Sequence, residues 1–281
     1  MKNVCFLEWV RQKRKFLNAM LASVGVLLCL FAVCTICDKV LPEFNRNYMN
    51  WPDYMKQLLG LSGWSGFLWY NIWQILAVFY PFLHIYMVMN AVSESISDEE
   101  RLETIIFLRN AGVSRMTVLG VKILFWAGYS LVVCLVQAVI IVLLANLSGI
   151  GVVSVLVFRY YSVLFLVSFF CIGMACNPAV SGKKLQRCKD IHLSLLVLPW
   201  LIAKIPDVIR MFAKLLEITG RSESVVIRFE VWEQKTSFLH YVSPVSWCIP
   251  GGQETPAGVM TGYVLIAVIL FLTAFKIYHD K

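Results

Sequence analysis

Long, uninterrupted apolar segments constrain this chain more than any other feature of its sequence. A helix of about 20 apolar residues crosses the roughly 30 Å hydrocarbon core of a bilayer, and several segments reach that length. Because lipid offers backbone amides no hydrogen-bond partner, such segments must be helical. The sequence therefore predicts an all-α membrane protein with six transmembrane helices. The predicted spans cover residues 16–37, 64–92, 123–147, 152–176, 191–212 and 258–275.

The amino-acid composition agrees with this class of protein. Hydrophobic residues make up 59% of the chain and charged residues only 15%, whereas a soluble domain carries about 25% charge. The net charge of +8 is interpreted as an asymmetry between loops, because no basic platform with interleaved aromatic residues occurs. The expected surroundings are therefore a lipid bilayer, and no nucleic-acid partner is predicted.

Residues 1–15 combine basic side chains with Phe6 and Trp9, which is typical of a helix lying at a membrane interface. The apolar run that follows is longer than a signal-peptide core and has no small-x-small cleavage site before Asp38, which favours an uncleaved first span. The short basic segment 177–190 is expected in the cytosol, where positively charged loops are retained. Six spans then place both termini in the cytosol.

The predicted outside region, residues 213–256, follows the fifth span. Pro199 is expected to bend that span, which ends either near Ala203 or only at about Phe212. Apolar residues at helical spacing predict an amphipathic interfacial helix over Asp207–Gly220. The β-branched run Val226–Val231 indicates a short extended stretch.

Residues 93–122 form a charged island between the second and third spans. Ser97 and Glu100 have the spacing of a capping box that starts a helix after the second span. The segment Asn110–Gly112 is a predicted stop, since glycine tolerates a left-handed helix end, and Ser114 can cap the next helix. The island is therefore predicted to be helix, tight break, helix at the membrane surface; the alternative is a solvated loop without a partner.

Three polar side chains interrupt the predicted spans. His84, Gln137 and Arg159 each lie in a different apolar segment. A polar residue within the membrane marks a functional path or forms a hydrogen bond that packs the helices, and an arginine near a span end can extend to the headgroups. These three residues are the candidates for a translocation path.

No catalytic residue is predicted. The chain lacks the sequence patterns of serine hydrolases, zinc metalloproteases, P-loop nucleotide-binding proteins and dinucleotide-binding folds. Cys34 and Cys37 have CxxC spacing, but no second pair accompanies them, so neither a metal site nor a redox role is expected. The chain is therefore not expected to be an enzyme, and any ATP hydrolysis belongs to another subunit.

The charged island resembles the type-2 class of ATP-binding cassette transporter permeases, the exporter class. The similarity rests on three short stretches, Glu99–Thr104, Gly112–Arg115 and Leu119–Lys122, which match an acidic pair, a turn and the entry to the third span in that class. The match departs at Arg101, where a small Gly-Thr start is usual, and at Gly112, where proline is usual.

The resemblance implies an architecture and partners. Two permease chains, identical or different, would pair with two cytosolic ATPase subunits that hold ATP and Mg²⁺, while this chain binds no cofactor. Residues 1–15 would form the elbow helix and residues 93–122 the cytosolic coupling helix region in a bacterial cell membrane. The exported substrate would be hydrophobic or amphipathic, such as a drug, a peptide or a lipid-like molecule. The implied ATPase contacts are Asp98, Glu99, Glu100, Arg101, Leu102, Glu103, Thr104, Leu108, Arg109, Gly112, Ser114 and Arg115.

The alternative function is a non-transporting membrane sensor or immunity subunit that binds a peptide at its outside region. The permease interpretation predicts that reversing Glu99 and Glu100 to Lys uncouples ATP hydrolysis from transport without loss of membrane insertion. The measurements are ATPase activity and export by the same vesicles. Normal export by the doubly reversed protein would contradict a coupling role for this pair.

Overall fold

The structure is a computed structural model that describes residues 2–40, 67–101, 106, 108, 110–150, 153–220, 223–248 and 257–280. Within these ranges the chain is helical and contains no strand. Two short 3-10 helices, Ser237–Tyr241 and Pro244–Trp247, precede the last long helix. The α-helices are α1 Lys2–Val40, α2 Leu68–Arg101, α3 Arg115–Leu147, α4 Val153–Val180, α5 Leu185–Ala203, α6 Ile205–Ile218, α7 Glu223–Thr236 and α8 Ala257–Asp280.

Five of these helices, α1, α2, α3, α4 and α8, are long and apolar enough to cross a membrane. With 34 and 33 residues, α2 and α3 are each about 50 Å long and exceed the thickness of the hydrocarbon core. Their neighbours carry exposed leucines, including Leu21 and Leu272, as a lipid-facing surface requires. An all-helical fold with several apolar spans is therefore confirmed.

The helix at the position of the fifth predicted span ends before residue 212. Helix α5 ends at Ala203, with Lys204 as its C-cap, and α6 starts at Ile205. The part of α5 without charged side chains begins after Asp190 and is only about 20 Å long. Of the two ends that the sequence left open, the structure has the helix end at Ala203, and residues 191–212 do not form a single helix because the chain breaks at Lys204.

The ends of the long helices lie at two opposite ends of the bundle. One end of the bundle, here the basal end, contains the start of α1, the end of α2, the starts of α3 and α5, and the ends of α4 and α8. Buried residues from four of these helices, including Val92, Leu119, Val180 and Tyr278, form one apolar cluster there. At the opposite, distal end, the Trp69 indole donates to Ser148 Oγ at 3.0 Å. The N-terminus, the α2–α3 connection and the C-terminus therefore lie at the same end.

Helix α4 occupies the centre of the bundle and packs against α2, α3 and α8. A glycine permits its close approach to α8, since a Cβ atom at Gly173 would lie 3.4 Å from both Leu270 and Phe271. Asn177, one turn further on, donates to the backbone oxygen of Leu270 at 3.0 Å. Small side chains and interhelical hydrogen bonds are the usual means of joining helices in lipid, where the hydrophobic effect contributes little between them.

Helices α6 and α7 form an antiparallel pair beyond the break at Lys204. The predicted amphipathic helix is confirmed as α6, which leaves Phe212 and Ile218 exposed. The predicted extended stretch is wrong, because residues 226–231 lie inside α7. A helix satisfies its backbone hydrogen bonds internally, whereas a strand needs a partner strand, and the described residues contain none.

Polar contacts join this pair to the segment before α8. Arg210 on α6 forms a salt bridge with Glu233 on α7. Asp207 Oδ2 accepts a hydrogen bond from Lys204 Nζ at 2.8 Å, and Asp207 Oδ1 lies 3.8 Å from His240 Nε2. Burial lowers the pKa of His240, while the nearby Asp207 carboxylate opposes that shift. Asp207 therefore connects the start of α6 with the first 3-10 helix.

Two predicted breaks are absent. Helix α1 runs from Lys2 through the predicted interfacial segment into the first span without a break, so no separate elbow helix precedes that span. Helix α2 likewise continues through Ser97 to Arg101, so the capping box predicted at Ser97 does not start a new helix. Neither junction contains glycine or proline, and buried residues such as Ile96 and Glu99 continue the packed face of α2 across it.

The close α4–α8 contact predicts a difference between two glycines in long helices. Gly173→Leu is expected to lower the free energy of unfolding by about 1–3 kcal/mol, because the added side chain must displace α8. Gly128→Leu is the matched control, since no neighbouring atom lies within 4 Å of a Cβ built there. The measurement is thermal unfolding in detergent, and equal effects of the two substitutions would contradict the packing described.

Candidate functional site

The connection between α2 and α3 is a tight turn at the basal end. Gly112 has a φ of 76°, and the backbone amide of Val113 donates to the carbonyl of Leu108 at 2.9 Å. Ser114 caps α3, its hydroxyl oxygen accepting from the backbone amide of Thr117 at 3.1 Å. The predicted helix stop at Gly112 and the predicted cap at Ser114 are confirmed, so the chain reverses direction within a few residues.

Part of the predicted contact surface lies outside the described residues. These positions are Leu102, Glu103, Thr104 and Arg109, together with the side chains of Glu100 and Arg101.

The described positions of the connection present a mixed surface. Ile106 is 50% exposed, Leu108 is half-buried, and Gly112 and Ser114 are exposed. Arg115 is half-buried, and its guanidinium carbon lies 5.9 Å from the ring centre of Tyr278 on α8. An exposed isoleucine beside a glycine turn is a surface that a groove in another chain can cover.

Immediately behind this connection lies a group of polar side chains, here called the basal ion cluster: the buried Glu8, Ser95, Glu99 and Lys122, and the partly exposed Arg11. The ammonium of Lys122 is at its centre, and the side chain is only 3% exposed. Lys122 Nζ donates to Glu8 Oε2 at 3.1 Å and to both the hydroxyl and the carbonyl oxygen of Ser95 at 2.8 Å. Its distance to Glu99 Oε1 is 3.3 Å. One cation thus joins α1, α2 and α3.

The other members of the cluster complete its hydrogen bonds and charge balance. Arg11 on α1 forms a salt bridge with Glu99, and the Ser95 hydroxyl donates to Glu8 Oε1 at 2.7 Å. Two carboxylates therefore face two cations within a mostly buried site. A second pair, Lys15 with Glu94 at 3.3 Å, is exposed and lies at the edge of the same end.

The position of Glu99 corrects the sequence analysis. The sequence interpretation placed Glu99 on an exposed charged surface, but its side chain is only 2% exposed. The reason is tertiary: the N-terminal half of α1 lies across the ends of α2 and α3 and brings Arg11 to this carboxylate. Asp98, the adjacent residue, is half-buried. Glu99 therefore stabilises the base of the α2–α3 connection from within.

Several residues of the basal end were not singled out from the sequence. Glu8 is the only acidic residue among the first 37, and an isolated acid in a basic, apolar segment is a signal for a buried ion pair.

A second polar group joins α2 to α5, where His192 Nδ1 lies 3.1 Å from Asn90 Oδ1 and His192 Nε2 lies 3.4 Å from Ser93 Oγ. No sequence pattern signals that second group, because its members are about 100 residues apart.

The middle of the bundle contains a further hydrogen-bonded group. His84 Nε2 lies 3.0 Å from Ser130 Oγ, and His84 Nδ1 lies 3.5 Å from the Tyr80 hydroxyl. The Gln137 amide donates to that hydroxyl at 2.7 Å. The structure thus brings together two of the three predicted path residues, His84 and Gln137. The third, Arg159, is exposed on α4 and lies outside this group.

This group lines a cavity of about 260 Å³ between α1, α2, α3 and α4. Most of the lining is apolar or aromatic, with Trp73, Tyr160 and Tyr161 at one side and small residues of α1 at another. In the part of the chain that the structure describes, the side chains that line it include no Asp, Glu, Lys or Arg. The cavity is therefore suited to a neutral, mainly apolar molecule.

The described residues provide no metal site and no disulfide. No group of three or more His, Cys, Asp or Glu side chains within the described ranges could hold a metal ion. The nine cysteines are free thiols, including the CxxC pair Cys34 and Cys37. The chemistry of the described site is thus that of ion pairs, hydrogen bonds and apolar contacts.

The basal ion cluster predicts different costs for two lysine substitutions. Lys122→Met leaves Glu8 and Glu99 buried without their central cation, and the expected loss in the free energy of unfolding is about 3–5 kcal/mol. Lys15→Met removes one partner of an exposed pair and should cost about 1 kcal/mol or less. Thermal unfolding in detergent measures both, and similar losses would contradict the cluster.

The chain was compared with known proteins. No protein-family model matches it, and no curated protein sequence matches it either. Function is therefore inferred from the geometry of the α2–α3 connection and of the basal ion cluster that supports it.

Proposed function

We propose that this chain is the membrane-spanning subunit of an ATP-binding cassette transporter of the exporter class. The observation that carries the proposal is the shape of the α2–α3 connection. Two helices of about 50 Å continue past their apolar parts and meet in a capped turn with an exposed isoleucine, Ile106. A separate ATPase subunit would bind this turn in the cytosol.

The basal ion cluster supports a mechanical role for the turn. A force applied to the turn reaches α2 and α3 directly, because each is a continuous helix. Glu8 and Arg11 bind α1 to the same two helices, so α1 would move together with them. Closure of two ATPase subunits on ATP would thereby tilt three spans as one body, which is a rigid-body mode of conformational change.

The complete assembly would contain two copies of this chain, or this chain and a different permease, with two ATPase subunits. In that assembly both termini and the α2–α3 connection lie in the cytosol, as the basic residues of the basal end favour, among them Lys183, Lys184 and Arg187. Helix α5 would enter the membrane as the fifth of six spans, and the α6–α7 pair would lie at the outer surface.

Export of a hydrophobic or amphipathic substrate fits the composition of the helices. Many of their exposed side chains are large and apolar, and most of the lining of the central cavity is apolar or aromatic. ATP and Mg²⁺ belong to the partner subunit. A peptide-binding sensor with no ATPase partner is the alternative outcome of the following experiment.

The test uses the exposed isoleucine, because reversing Glu99 would also disrupt the basal ion cluster. Ile106→Asp places a charge where an apolar contact with the ATPase is expected, and co-purification of the ATPase with this chain should fall at least tenfold. The control is Ile218→Asp, the same change at an exposed position at the end of α6.

Both variants should insert in the membrane at the normal level, as measured by the amount of protein in isolated membranes. The partner to co-express and quantify would be an ATPase with Walker motifs encoded by a neighbouring gene, and the absence of such a gene would contradict the proposal. If the unsubstituted chain retains no ATPase, or if both variants lose it equally, the proposed docking role of the α2–α3 turn is wrong.

A further inference from the structure

The cavity between α1, α2, α3 and α4 has the features of a binding site that does not depend on the ATPase. We propose that it binds a neutral single-chain molecule with one hydroxyl group, such as a medium-chain alcohol. The proposal is separate from the transporter function, because the site lies within one chain and away from the α2–α3 turn.

The first support is an unsatisfied polar atom. Gln137 is only 2% exposed and lines the cavity. Its amide nitrogen donates to Tyr80, but its Oε1 has no hydrogen-bond partner in the described part of the chain. An unpaired buried oxygen is costly, and most buried polar atoms in proteins have a partner. The oxygen itself has almost no surface open to the cavity, so a bound molecule that donates a hydrogen bond would satisfy this atom once the Gln137 amide turns toward the cavity.

The chemistry of the lining selects a hydroxyl group over other donors. A half-turn of the Gln137 side chain would exchange the positions of its amide oxygen and nitrogen. A ligand hydroxyl can donate to the oxygen or accept from the nitrogen, so it can bind either orientation. Among the described residues the lining contains no carboxylate to pair with an ammonium and no Lys or Arg to pair with a carboxylate, and the ring nitrogens of His84 already face Ser130 and Tyr80. An ionised ligand would therefore remain unpaired at high cost, which excludes amines and fatty acids.

The volume of the cavity sets the size of the molecule that fits, and the exposed residues at its rim show where that molecule enters. An engineered cavity of about 150 Å³ binds benzene, with six carbons, so about 260 Å³ accommodates roughly nine or ten heavy atoms by the same measure. Octanol has that size. Val26, Leu83 and Met87 line the cavity and are also exposed on the outer surface of the bundle. The opening therefore faces sideways between α1 and α2, where an apolar molecule can enter from the bilayer.

The experiment uses the full chain in lipid nanodiscs and a diazirine analogue of octanol as a photolabel. Mass spectrometry should place most adducts on cavity-lining residues of α1 and α2, and excess octanol should prevent them. In the unsubstituted protein octanol should compete about fivefold better than octane, since octane lacks the hydrogen bond to Gln137. Octanoate should not compete.

Gln137→Leu should remove the preference for octanol over octane and weaken photolabel binding by about fivefold. The control is Val139→Leu, at a 47% exposed position of α3 that does not line the cavity. Diacylglycerol added to the nanodisc separates two sources of the ligand: competition indicates a bilayer lipid, and its failure indicates a smaller free molecule. Adducts spread evenly over the lipid-facing surface, or equal competition by octane and octanol in the unsubstituted protein, would overturn the proposal.

Discussion

The buried ammonium of Lys122 is the interaction on which the basal end of this bundle depends. It lies in a largely apolar bundle, where an unpaired charge would be prohibitively costly, and it is balanced by Glu8 and Glu99 with hydrogen bonds to Ser95. Such a group adds little stability compared with an apolar packing of equal volume, but removing one member is expensive. We infer that it also fixes the register of α1, because a shift of α1 along its axis would move Glu8 and Arg11 away from Lys122 and Glu99.

That register explains why α1 is a single helix. Without the cluster, the basic first fifteen residues could lie along the membrane surface, as their composition predicts. With Glu8 and Arg11 bound at the end of α2, the segment continues the axis of the first span instead. As a result α1 is long and packs against α2 and α3 with one face, while its outer face remains exposed, and it forms a fixed contact behind the α2–α3 turn.

The two functional proposals occupy different parts of the molecule. The turn with Ile106 lies at the basal end and is supported by ion pairs, whereas the cavity lies near the middle of the bundle and is supported by His84, Tyr80 and Gln137. From Glu99 to His84 along α2 the separation is about 20 Å. A ligand in the cavity contacts the same three helices, α1, α2 and α3, that the cluster holds together.

The sequence by itself determined the helical class, five of the six predicted apolar helices and the turn at Gly112 and Ser114, because these depend on hydrophobic length and local backbone chemistry. It did not determine that Glu99 points inward, that α7 is helical, or that His84 and Gln137 share one cavity with Tyr80. Those features depend on side chains that are distant in sequence and meet only in the packed bundle, such as Glu8 and Lys122, 114 positions apart. Periodicity shows which residues share a face of one helix, but the partner of a buried charge is chosen by the neighbouring helix that packs against it.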